Sequence, residues 1–90
     1  MVYRVSVVFK GRVQGVYFRE YARRWAEALS INGHVKNMID GTVHAVLEGE
    51  PDAVHELIRR LKDEHPQAKV TQTEIKVEEA EGLESFEVLH

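Results

Sequence analysis

Tyr3, Val5, Val7 and Phe9 alternate with Arg4, Ser6 and Lys10. A period of two predicts a strand with one buried face. Beyond Gly11 and Gly15 the period changes. Phe18, Tyr21, Ala22, Trp25, Ala26 and Leu29 recur at helical spacing, one apolar stripe of a helix. Asn32-Gly33 reads as its C-terminal stop. A strand over residues 34–39 follows, then Asp40-Gly41 as a two-residue hairpin turn and a partner strand over 42–48. Pro51 suits the first position of a second helix, which carries Val54, Leu57, Ile58 and Leu61 on one face. Pro66 closes the connection after it. Thr73, Ile75 and Val77 alternate within a strand over 69–79, and a last strand covers 85–89. All six glycines fall outside the predicted element interiors, and no repeat, linker or low-complexity tract interrupts the pattern.

The order strand, helix, strand, strand, helix, strand, with a short extra terminal strand, predicts an α+β ferredoxin-like split βαβ (βαββαβ) sandwich. Its sheet is antiparallel and both helices lie on one face. Residues 1–90 are expected to form a single domain. With 43% hydrophobic and 30% charged residues, the composition is that of an ordinary globular chain rather than a disordered one. No apolar run approaches the roughly 18 residues of a membrane-spanning helix, and Met1-Val2-Tyr3-Arg4 leads into the first strand without the pattern of a signal peptide. The absence of cysteine excludes disulfides, thiolate nucleophiles, iron–sulfur clusters and cysteine zinc sites. It fits a cytoplasmic location.

The net charge of −3 argues against a general affinity for nucleic acid or acidic membranes. Its distribution is uneven: residues 1–25 carry a net +5 and residues 26–90 a net −8. A locally cationic start makes an anion site there a testable expectation, while Arg4, Arg23 and Arg24 read as solvated surface groups.

The chemistry converges on Gly11-Arg12-Val13-Gln14-Gly15-Val16-Tyr17-Phe18-Arg19, which joins a strand to a helix start. Glycines permit positive φ, so successive backbone N–H groups can turn toward one point, and the free N–H groups of a helix start add to them. The segment is then either an oxyanion cradle or a ligand-free connector. It has neither the ending of a Walker loop nor the glycine spacing of a dinucleotide fingerprint. Arg19 sits in the first helical turn, against the positive end of the helix dipole. An anion held between cradle and guanidinium would reverse that conflict; a nearby carboxylate would also relieve it. Asn37 breaks a second local rule, being a strand-averse residue in mid-strand. By parity it shares a face with Val35 and Ile39. It either bonds neighbouring backbone near the turn or presents a carboxamide that can orient a water molecule.

These residues resemble the signatures of the acylphosphatase family. The first is Gly11 to Arg19 as quoted. The second is Gly33-His34-Val35-Lys36-Asn37 with Asp40-Gly41-Thr42-Val43 and Glu48-Gly49. Length and element order match the family across essentially all 90 residues. The resemblance implies a small cytoplasmic enzyme that hydrolyses the carboxyl–phosphate bond of acyl phosphates without a metal or other cofactor. It implies that Arg19 binds the substrate phosphate with the loop amides of Gly11, Arg12, Val13, Gln14, Gly15, Val16 and Tyr17. Asn37 would position the attacking water for in-line displacement. The expected ligands are a small-molecule acyl phosphate and, as product or inhibitor, phosphate or another oxyanion. A monomer without nucleic-acid or membrane partners is expected. The chain departs from the family at His34, often tryptophan, at Met38, threonine in some members, and at Glu64-His65-Pro66, in place of a small residue before proline. Tyr17 fills a variable position.

Two other classes compete with this reading. A non-catalytic anion-binding module would keep the loop and lose turnover; intact Arg19 and Asn37 count against it. An RNA-binding module would draw on the basic start, but Phe18, Tyr21 and Trp25 lie at helical core spacing, whereas RNA-binding sheets of this fold carry aromatics on strands. The five histidines (34, 44, 55, 65 and 90) show no metal-ligand spacing.

Overall fold

A computed structural model describes residues 2–90. The elements are β1 (Tyr3–Arg12), α1 (Phe18–Ala28), β2 (Asn32–Asn37), β3 (Val43–Gly49), α2 (Pro51–Asp63), β4 (Lys69–Glu78) and β5 (Phe86–Leu89). One five-stranded sheet has the order β4-β1-β3-β2-β5. Neighbours are antiparallel except at one edge, where β5 runs parallel to β2 and makes the sheet mixed.

Alternation decides which face is covered. Val5, Val7 and Phe9 of β1, Val35 of β2, and Val43, Ala45 and Leu47 of β3 are buried. They join Phe18, Ala22 and Ala26 of α1 and Val54, Leu57, Ile58 and Leu61 of α2 in one cluster. Both helices therefore pack on the same face, and the intervening positions, such as Ser6, Val8 and His44, line the open one. Phe9 meets Phe18 edge to face at 5.0 Å, which docks the start of α1 onto β1. Among the described residues no helix is long and apolar enough to cross a membrane.

Three local expectations are corrected. Strand β2 begins and ends two residues before the predicted 34–39. Met38 and Ile39 belong to the connection, and Ile39 is fully exposed rather than sharing the face of Val35. Gly11 and Gly33 lie inside strands, not between elements. Each adopts positive φ where a neighbouring strand comes too close for a side chain: a Cβ on Gly11 would lie 2.2 Å from the Lys69 carbonyl oxygen, and on Gly33 1.8 Å from that of Val46. At Gly11 the β1–β4 register also shifts, so a bulge redirects the end of β1. Arg4, finally, is not solvated. It is 11% exposed and pairs with Glu48, Glu78 and Glu81.

Glu48 explains that network. Strands β4 and β5 sit at opposite edges, so the chain between them must cross one end of the sheet. On the way, Glu81, Gly82 and Leu83 donate backbone N–H groups to the Glu48 carboxylate at 2.8, 3.2 and 2.8 Å, and Asn32 Nδ2 donates to the Leu83 carbonyl at 2.7 Å. Burial pushes the Glu48 carboxyl up, but these N–H groups and the Arg4 guanidinium outweigh it and hold its pKa at about 2.

Candidate active site

The β1–α1 connection is shorter than the predicted loop, because Gly11 and Arg12 pair with Val70 and Lys69 of β4. Residues 13–17 remain. Val13 and Val16 are buried and pin the segment to the core. Between and after them, Gly15 (φ 75°) and Tyr17 (φ 61°) take left-handed backbone. At Gly15 nothing lies within 4 Å of a would-be Cβ. Its glycine is therefore a matter of backbone conformation, not of space. Tyr17 is the N-cap of α1 and no side chain caps that helix. The first helical bond runs from the Tyr21 N–H to the Tyr17 carbonyl at 3.1 Å, so the N–H groups of Phe18, Arg19 and Glu20 precede the ladder.

Phe18, Arg19 and Glu20, which carry those N–H groups, line a cavity of about 430 Å³. Val13, Gly15, Tyr17 and Arg19 form one side of it, and Asn37 another. Arg19 donates from a guanidinium nitrogen to the Leu89 carbonyl at 2.7 Å and approaches His90 Nδ1 at 3.3 Å. Its partner is thus a backbone oxygen at the end of β5, not a carboxylate, and its charge is left uncompensated by those contacts. Glu20, the acid that also lines the cavity, is bound to Arg23 and Arg24. The hydrogen bond from Arg23 holds its carboxyl below the usual range. Asn37 ends β2 opposite Val43. Its Oδ1 is buried and makes no hydrogen bond with the protein, so the turn-bonding alternative does not account for it.

Gln14 departs from the rest of the loop. Its Nε2 donates to the carbonyls of Met38 (2.8 Å) and Thr42 (2.9 Å), the two residues that close the hairpin beside Asn37. The hairpin is tightened further by the Met38 N–H on the Thr42 carbonyl and by the Thr42 hydroxyl on Asp40. The structure therefore brings Arg19, Asn37, Val13, Gly15 and Tyr17 to one cavity. Gly11, Arg12, Gln14 and Val16, which the sequence placed in the cradle, do not line it. Val88 and His90 of the C-terminal segment also line it. Sequence reasoning missed them because only the parallel pairing of β5 with β2 carries them there.

Comparison with known proteins gives a consistent family. A model of the acylphosphatase family matches residues 5–88. The acylphosphatase of Thermococcus kodakarensis is 51% identical over 86 residues, covering 96% of this chain and 94% of that protein. Among solved structures, the acylphosphatase of Bacillus subtilis superposes with a TM-score of 0.93 at 31% identity, covering all of both chains. That of Coxiella burnetii superposes with 0.92 at 36% identity over 98% of this chain and 93% of the other.

Proposed function

The chain belongs to the acylphosphatase family, and from that premise we propose that it hydrolyses acyl phosphates to a carboxylate and inorganic phosphate at the cavity between Arg19 and Asn37. One observation carries the reading. An uncompensated guanidinium, an uncapped helix start and a carboxamide side chain line the same cavity. The first two suit the oxygens of a phosphoryl group, which arginine can engage bidentately. The third suits a water molecule.

The chemistry asks for little else. The leaving carboxylate has a conjugate acid of pKa about 4, so it departs at neutral pH without a proton donor. Phosphoryl transfer depends chiefly on alignment and on stabilising charge at the equatorial oxygens. Arg19 and the amides at Gly15, Tyr17 and the first turn of α1 hold the phosphoryl group. The Asn37 carboxamide bonds the water and directs its oxygen at phosphorus, in line with the departing carboxylate. No metal is assigned a role. A monomeric, cytoplasmic enzyme completes the proposal.

Hydrolysis of benzoyl phosphate in excess chelator tests it. Wild-type turnover should persist with chelator. Arg19→Ala should lose turnover by a hundredfold or more, since one preorganised donor is worth about 2.7–4 kcal/mol in the barrier, and should bind phosphate weakly. Asn37→Ala should keep phosphate affinity and lose turnover. Near wild-type turnover in a folded Arg19→Ala protein would remove the assignment.

A further inference from the structure

One buried polar side chain outside the cavity packs against the start of α1. His65 follows α2, in the turn before β4, and is 8% exposed. Its ring stacks on Phe18, with centroids 5.7 Å apart and planes at 24°, and tilts against Tyr21 at 4.4 Å. Its Nδ1 accepts the backbone N–H groups of Gln67 and Ala68 at 3.1 and 2.9 Å. A ring nitrogen that accepts two N–H groups carries no proton, so in the neutral ring the proton is on Nε2. Burial favours this neutral form, opposed by the carbonyls of Val16 and Tyr17, which face the ring. Yet Nε2 is buried and completes no hydrogen bond, and a buried donor left in that state is unfavourable.

The covalent geometry of the loop gives this donor a use. In a trans peptide the N–H points opposite the preceding carbonyl. Carbonyls of Val16 and Tyr17 turned toward His65 therefore aim the N–H groups of Tyr17 and Phe18 away from it. Tyr17 and Phe18 are cavity-lining residues. A hydrogen bond to the carbonyl of a peptide also polarises its N–H and makes it a better donor to an anion. We infer that His65 is a positioning residue of the phosphate cradle: its Nε2–H holds the Val16 and Tyr17 peptides from behind, and the bond closes when an anion engages their N–H groups in front. The inference rests on the reading of residues 13–19 as a phosphate site.

Asparagine and glutamine separate the two ring nitrogens. His65→Asn keeps an acceptor near the Nδ1 position and removes the donor; His65→Gln places an N–H near Nε2. Inorganic phosphate is titrated into wild type and both variants by calorimetry, and the His65 ring proton is followed by NMR in the wild type. The expected result is a downfield shift and slowed solvent exchange of the Nε2 proton on adding phosphate. His65→Asn should raise the phosphate Kd about fivefold, the loss of one hydrogen bond, and His65→Gln should return it to within about twofold of wild type. A folded His65→Asn protein with wild-type phosphate affinity overturns the inference. So does an Nε2 proton that ignores phosphate, a readout that stands even where a variant fails to fold. Wild-type protein that binds no phosphate overturns the cradle itself, which keeps the two failures distinct.

Discussion

At Gln14 a loop side chain turns out of its own loop and closes the hairpin that presents Asn37. Its two acceptors are the carbonyls flanking that turn, so removing the donor frees Asn37 without touching Arg19. Gln14→Ala should lower turnover on benzoyl phosphate about tenfold and leave the phosphate Kd within about twofold. Two lost part-buried hydrogen bonds should destabilise the fold by roughly 1–3 kcal/mol, read by urea denaturation. Equal losses in turnover and phosphate affinity would place Gln14 in the anion site instead. Arg19 and Asn37 stood out in the sequence because each breaks a local rule there: a cation at a positive helix end, and an asparagine read as mid-strand, which the structure places at the end of β2. Gln14 breaks none. A glutamine in a loop is unremarkable until its partners, 24 and 28 residues away, are known. The same holds for His65 and for Arg4, whose roles exist only in the folded contacts.

The elements themselves followed from periodicity, since the switch from a period of two to helical spacing is a local signal. Their ends did not. Strand β2 reaches back to Asn32 because Gly33 pairs with Leu47 and its N–H donates to Ser85 at 2.9 Å, and neither partner is visible locally. Asn32-Gly33, read as a helix stop, is already strand. Gly33 and Gly41 offer a direct contrast. Both have positive φ, but a Cβ on Gly41 meets nothing within 4 Å, whereas on Gly33 it would overlap the Val46 carbonyl. Gly41→Ala should therefore carry only the conformational penalty, about 1–2 kcal/mol. Gly33→Ala must also push β2 from β3 and should destabilise by more than about 3 kcal/mol. Thermal unfolding of the two variants side by side checks this, and equal losses would mean that the close approach is relaxed in solution.

For the molecule as a whole, the uneven charge along the chain resolves into pairs. Arg4, Lys10, Arg23 and Arg24 are tied to carboxylates, so the basic first quarter is not one cationic patch. Arg19, held by a backbone carbonyl instead, lines the cavity, and its position depends on the far end of the chain. Glu48 anchors the crossing connection, that connection delivers β5, and β5 supplies the Leu89 carbonyl that Arg19 grips. Acid should undo this arrangement in a defined order. The Glu48 pKa is about 2 in the fold, against 4.5 for the ordinary group. A lowered pKa contributes stability that is complete above about pH 4.5 and disappears as pH falls through 2. For this carboxylate, only 2% exposed, the contribution is about 3 kcal/mol. Glu48→Gln should accordingly be less stable than wild type at pH 7, and the gap should narrow steadily between pH 4.5 and 2 in guanidinium titrations. A gap that stays constant with pH would show that the carboxylate charge is not what holds the crossing. Because the same connection sets β5, Glu48→Gln at pH 7 should also weaken phosphate binding at a site formed at the opposite end of β2, an effect that a purely local ion pair would not produce.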